Sequence, residues 1–337
     1  MAVGFRSGVC LDPVRSDWEG NDARPLPWLA WYPASGKTSA EHPERAHWFK
    51  LRPVALDAPP LEASRPHPLV LLSHGSGASA LAMDWLGHRL AARGFVAVGL
   101  DHHGHTSTQA YRPEGFFCLW ERARDFTVLL DQPSWRAELG MVVEDQACIA
   151  GFSAGAYTAM LLAGARVSYS QFEPDNPVKS PIRGPREFPM LADEWPQLQT
   201  NQVFRESFDR RRDDYRDERI QGAVAIAPGR SALGLSKASL QAITCPVLLI
   251  GGDADTTAPT DLCCQPLKES VTTSTFEMIH GGVNHYTFLP EGSGKGREAA
   301  PELFADAPGL DRSRIHDRVA DMVEEHDAYV RSRIARA

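Results

Sequence analysis

The sequence has few cysteines, no long apolar run and no excess of basic residues, and each shortage removes a class of protein. Its six cysteines (Cys10, Cys118, Cys148, Cys245, Cys263 and Cys264) form no C-x-x-C pair, so neither a disulfide scaffold nor a structural zinc site fits. Cys148 and Cys245 lie in or beside apolar runs and read as small core residues. The adjacent Cys263 and Cys264 read as reduced thiols, because neighbours pair only with strain. No stretch approaches the roughly 18 apolar residues of a membrane-spanning helix. Lys and Arg number 35 against 43 Asp and Glu, a net charge of −8. That balance argues against a nucleic-acid binder, whose affinity comes chiefly from basic side chains on phosphates. The first residues carry Arg6, Asp12, Arg15 and Asp17 without the apolar centre of a secretory leader. A cytoplasmic protein is therefore the expectation, unless a leader has already been removed.

What is present is a globular composition, 43% hydrophobic and 23% charged over 337 residues, enough to bury a full core. Short apolar runs alternate with helical patterns. Strands are expected at 68–73, 95–100, 147–152, 222–227, 246–250 and 275–279, with helices over 82–93 and 154–163. Strands apolar on both faces and separated by helices predict an α/β fold with a mostly parallel sheet covered on both sides. The first 67 residues hold strand patterns at 3–10 and 26–32 and read as antiparallel strands added at the sheet edge. Residues 166–219 interrupt the rhythm. Within them, 205–219 carries six Arg against six acidic residues and predicts a solvated helix held by spaced ion pairs. The whole segment reads as an insertion over the sheet, a lid within a single domain spanning 1–337.

The sharpest motif is Gly151-Phe152-Ser153-Ala154-Gly155, which follows an apolar strand and opens an Ala-rich helix. A nucleophilic serine held on a tight strand-to-helix turn needs that context, with small residues where backbones crowd. A serine also needs a base, and the base an orienting carboxylate. Gly252-Asp253-Ala254-Asp255 follows the strand at 246–250, so both Asp253 and Asp255 are candidates, with Asp255 favoured over an aspartate that only caps the next helix. After the last strand come His280 and His285; His285, one short turn further on, is placed better to reach inward. His74-Gly75-Ser76-Gly77 is a small-residue loop after the strand at 68–73, suited to an oxyanion donor. The backbone N–H groups of Ser76 and Ala154 are the expected pair. His74 itself reads as a structural hydrogen-bonding residue.

Other motifs carry less. Asp101-His102-His103-Gly104-His105 has the density of a metal site, yet no second cluster accompanies it, and it reads as crevice lining. Gly292-Ser293-Gly294-Lys295-Gly296 lacks the first glycine and the final Ser or Thr of a phosphate loop and reads as a flexible turn. Tyr111, Phe116, Phe117 and Trp120 are candidates for an apolar acyl or aryl pocket.

With these motifs, and with Arg24-Pro25-Leu26, Trp31-Tyr32-Pro33-Ala34 and Pro308-Gly309-Leu310-Asp311-Arg312 around them, the chain resembles the dienelactone-hydrolase-like group of α/β-hydrolases. Within it, the chain stands close to the bacterial relatives of platelet-activating-factor acetylhydrolase. The resemblance implies Ser153 as nucleophile, Asp255 as acid, His285 as base, and Ser76 with Ala154 as oxyanion donors. It departs from dienelactone hydrolases proper, which use cysteine where Ser153 stands. The expectation is a serine hydrolase acting on small carboxylic esters of short or medium acyl groups, needing neither metal nor organic cofactor. An amide or lactone hydrolase with the same residues, and a non-catalytic binding protein on the same scaffold, are the alternatives.

Overall fold

A computed structural model describes residues 1–38, 48–62 and 65–336. Nine strands form one mixed sheet: β1 (Ala2–Ser16), β2 (Ala23–Ala34), β3 (Ala55–Leu56), β4 (His67–Ser73), β5 (Val96–Leu100), β6 (Val143–Phe152), β7 (Ile220–Ile226), β8 (Val247–Gly252) and β9 (Ser274–Ile279). Their spatial order is β3-β1-β2-β5-β4-β6-β7-β8-β9. From β5 to β9 every pairing is parallel. β1 and β2 pair antiparallel, and β2 lies antiparallel to β5, so the N-terminal strands extend one edge as the sequence implied.

Side chains alternate across a strand, and the central strands are apolar on both sides. In β4, Leu69 and Leu71 enter one buried cluster and Val70 and Leu72 the other. Helices Glu121–Asp131 and Ala154–Leu162 cover the first face; Asp84–Ala92 and the long Arg312–Ile334 helix cover the second. From β4 the chain crosses to β5 on one side and returns to β6 on the other. A ligand crevice forms at such a reversal, beyond the carboxyl ends of the strands. The loop after β4 and the turn after β6 meet there.

Three local expectations change. The helix expected over 205–219 is instead Gln202–Asp209, because Phe204 and Phe208 sit one turn apart and pack on Phe117, Trp120 and Trp195. Its ion pairs are not spaced along a helix: Arg166 bonds Asp214, Arg211 meets Glu173 and Arg219 reaches Asp131. The glycine-rich turn at 292–296 runs into a short helix, Gly294–Ala299, capped by Ser293 Oγ accepting from Gly296 N (3.0 Å). Cys245 is half-buried rather than fully enclosed, while the other five cysteines are buried and all six are free. Among the described residues, no helix is long and apolar enough to cross a membrane.

Candidate active site

The turn after β6 is as tight as its glycines suggest. A Cβ on Gly151 would lie 2.0 Å from the Gly155 carbonyl oxygen, and one on Gly155 would lie 1.9 Å from the Ser73 carbonyl oxygen. No larger residue fits at either place. Between them Ser153 adopts φ 55°, ψ −112°, a left-handed conformation that costs a non-glycine residue of order 1–3 kcal/mol. Its N–H is held by the Ile226 carbonyl (2.9 Å), and its side chain projects into the crevice.

The structure brings three of the singled-out side chains into line. His285 Nε2 is 3.0 Å from Ser153 Oγ, and His285 Nδ1 is 2.7 Å from Asp255 Oδ2. The other Asp255 oxygen accepts the Ala258 N–H (2.7 Å), which fixes the carboxylate. A buried carboxylate on Nδ1 keeps the proton there and leaves Nε2 as the acceptor facing the serine. Asp253 does something else: it accepts the N–H groups of Gly281 (2.9 Å), Gly282 (3.0 Å) and Val283 (2.8 Å). It shapes the loop that delivers His285, and His280 stays exposed beside it. The His285 loop is braced further. Asn284 Oδ1 accepts from Tyr286 and Thr287 N–H groups, and His316 on the long C-terminal helix bonds the Thr287 carbonyl (2.8 Å).

A cavity of about 980 Å³ opens at this point, and the loops after β4, β6, β7, β8 and β9 all contribute to its wall. Ser76 and Ala154 border it beside Ser153. Ala154 begins a helix, so its N–H has no partner within that helix. Of the aromatic candidates, Tyr111 and Phe116 line the cavity, whereas Phe117 and Trp120 are packed away under the 166–219 segment. That segment supplies part of the wall through Phe172, Ile182, Arg186 and Glu187.

The three imidazoles of the 101–105 stretch diverge. His105 lines the cavity and meets Ser76 Oγ (3.1 Å); His102 is buried between Ser73 and Asp125; His103 turns to Trp18 and Gln109. His74 is buried too, its Nδ1 donating to the Gly75 carbonyl (2.7 Å). Burial, reinforced by the nearby Arg122 guanidinium, holds the His74 and His105 rings well below the usual histidine range, so both are neutral. Sequence reasoning passed over Arg122 and Glu187. Neither belongs to a recognisable motif, and each sits in a charged stretch that looks solvated.

The sequence profile of the alpha/beta hydrolase family matches residues 69–307. Among curated proteins none matches the chain in sequence. Of solved structures, a ferulic acid esterase from Streptomyces cinnamoneus is similar in fold, with 18% identity and a TM-score of 0.56 over 96% of this chain and 88% of that one. Two others align more loosely, each with a TM-score of 0.46. One is a cold-adapted esterase from an Arctic intertidal metagenomic library, at 14% identity over 90% and 92% of the two chains. The other, described as a dienelactone hydrolase from Klebsiella pneumoniae, has 13% identity over 88% and 95%. The family match spans the parallel sheet from β4 onward and the loops that carry Ser76, Ser153, Asp255 and His285, and the chain belongs to the alpha/beta hydrolase family.

Proposed function

We propose that the protein is a serine hydrolase of small carboxylic esters with short or medium acyl groups, working through an acyl-enzyme. One observation carries the reading: the unbroken line from Asp255 through His285 to Ser153, 2.7 and 3.0 Å, ending at the floor of a cavity large enough for a small ester. Ser153 Oγ attacks the ester carbonyl carbon as His285 Nε2 takes its proton. Asp255 holds the imidazole in the required tautomer and stabilises the imidazolium. The carbonyl oxygen gains negative charge and is received by the Ser76 and Ala154 N–H groups, donors already in place before the charge develops. His285 then protonates the leaving alcohol. Water, activated by the same imidazole, attacks the acyl-serine and releases the acid. Every step uses groups of this chain, so no cofactor enters the proposal.

In this reading residues 166–219 cover the site within one domain, and Phe172, Ile182 and Glu187 bear on the substrate. The GFSAG turn and the flanking segments support placing the chain in the dienelactone-hydrolase-like group near the platelet-activating-factor acetylhydrolase relatives. The free cysteines suit a reducing compartment, and cytoplasmic action is part of the proposal.

The test is turnover of p-nitrophenyl acetate and butyrate by the protein and by Ser153→Ala. The variant is expected to stay folded and to lose at least about 10³-fold in kcat. Retained turnover would sink the assignment. Matched ester, lactone and anilide substrates then rank the leaving groups.

A further inference from the structure

Behind the loop that bears Ser76 lies a guanidinium with no place in the mechanism above. Arg122, on the helix Glu121–Asp131, is fully buried. Among the described residues no carboxylate stands within ion-pair distance of it: Asp125, one turn on, is taken by Arg15 (2.7 Å) and by His102 (2.8 Å). Its Nε is buried without a partner. Burial lowers its pKa to about 9, which still leaves it charged at neutral pH. A buried charge left without a counter-ion is expensive, and an apolar side chain of similar volume is often as stable or more so.

Its contacts all lead to one loop. Arg122 Nη2 donates to the His74 carbonyl oxygen and to Ser73 Oγ (3.1 Å). Nη1 donates to His105 Nδ1 (3.2 Å). A guanidinium can only donate, so His105 carries its proton on Nε2 and donates a hydrogen bond from it to Ser76 Oγ (3.1 Å). The Ser76 hydroxyl is thereby free to face the Glu187 carboxyl of the 166–219 segment. Beneath, the Ser73 hydroxyl donates a hydrogen bond to His102 Nε2 (3.3 Å), and His102 Nδ1–H donates one to Asp125 Oδ2 (2.8 Å). This buried Ser73, His102, Asp125 chain copies the order of a triad but does not line the cavity that holds Ser153.

We propose that Arg122 is a positioning residue for the oxyanion-binding loop, holding its carbonyls inward so that its N–H groups face the cavity. The peptide unit is planar and trans, so a carbonyl drawn one way turns the next N–H the other. Arg122 draws in the His74 carbonyl and His74 draws in the Gly75 carbonyl. The Gly75 and Ser76 N–H groups are left directed away from the core, toward Ser153. The His105 bond fixes Ser76 from its side chain as well. This inference rests on the serine hydrolase reading, since a loop that receives no oxyanion has nothing to be positioned for.

The test compares Arg122→Met, Arg122→Lys and His105→Phe with the unaltered protein, each normalised to the Ser153 sites titrated by a fluorophosphonate. Arg122→Met is expected to lose about 10- to 100-fold in kcat on p-nitrophenyl butyrate, short of the loss of a whole oxyanion donor, with KM within about threefold. Affinity for phenylboronic acid, which becomes tetrahedral on serine, should fall by the same factor as kcat, while inhibition by the product butyrate stays unchanged. Arg122→Lys should recover part of the loss, because one ammonium cannot reach Ser73, His74 and His105 together. His105→Phe puts an apolar ring in place of the imidazole and removes both the Ser76 link and the acceptor of Arg122 Nη1, while the bond from Arg122 to the His74 carbonyl remains; a kcat loss of about threefold to tenfold is expected, and this variant decides the matter if the Arg122 variants do not fold. Unaltered kcat per titrated site, or a loss confined to KM, overturns the inference. If the unaltered protein neither reacts with the fluorophosphonate at Ser153 nor turns over the ester, the hydrolase reading has failed, and the inference with it.

Discussion

Asp253 and Asp255 stand two residues apart after β8 and do different work because their carboxylates meet different donors. Asp255 bonds one imidazole and one N–H, while Asp253 gathers three consecutive backbone N–H groups at the mouth of the histidine loop. Asp255→Asn should therefore lower kcat by about 10³- to 10⁴-fold with little change in melting temperature, because the amide leaves the imidazole in the wrong tautomer. Asp253→Ala should do the reverse. Its loss of loop hydrogen bonds costs about 1–3 kcal/mol, seen as a lower melting temperature, with kcat per titrated serine within a few-fold. A matching collapse of kcat in both variants would contradict this division. The pair shows what was legible in sequence. A strand end followed by Asp, and a later strand end followed by His, mark groups delivered to one crevice, and their spacing favoured Asp255 and His285. Arg122 was not legible. Glu-Arg-Ala-Arg-Asp reads locally as a solvated helix face, and only the tertiary fold buries Arg122 while Arg124 stays half-buried.

At the scale of elements, the 166–219 segment is held by aromatic packing rather than by its many charges. Phe204 is fully buried, stacks on Phe208 and meets Phe117 edge-on. Next to it Ser207 Oγ donates to Glu121 Oε1 (2.5 Å) and accepts from Trp120 Nε1 (3.0 Å). Charge balance over 205–219 predicted the wrong bounds because it weighed the exposed side chains and not the two phenylalanines one turn apart. Phe204→Ala should cost about 3–5 kcal/mol, measured by urea unfolding. Since the same segment presents Phe172 and Glu187 to the cavity, its loosening should raise KM for p-nitrophenyl butyrate more than it lowers kcat. A destabilised variant with unchanged KM would separate the segment from the substrate.

Across the whole molecule, the α/β class was readable from strands apolar on both faces, whereas the long Arg312–Ile334 helix was not singled out. Its mean character is polar, and its inner stripe, Val319, Ala320, Val323 and Val330 together with His326 and Asp327, is buried. The fold also buries an unusual set of neutral histidines. Burial holds His74, His105 and His316 well below the usual range and pushes His102 and His326 down to about 4. In the unfolded chain each binds a proton near pH 6.5. Below that pH the unfolded state carries more protons than the folded one, so stability is full above about pH 7 and falls as the pH drops toward 4, by up to about 1.4 kcal/mol per pH unit for each ring. The buried Asp84 carboxyl, which burial raises to about 6, takes up its proton in the folded state over the same range and offsets part of this, but it is one group against five rings. The melting temperature should thus decline from about pH 6.5 downward; a constant value down to pH 5 would contradict it. The central claim, that Ser153 is a nucleophile activated by His285 and Asp255, is met most directly by intact-protein mass spectrometry after exposure to a fluorophosphonate. The account predicts one adduct per chain, mapped to the peptide containing Ser153, absent from urea-unfolded protein and from Ser153→Ala. Folded protein that takes up no adduct, or takes it up on another residue, would contradict it.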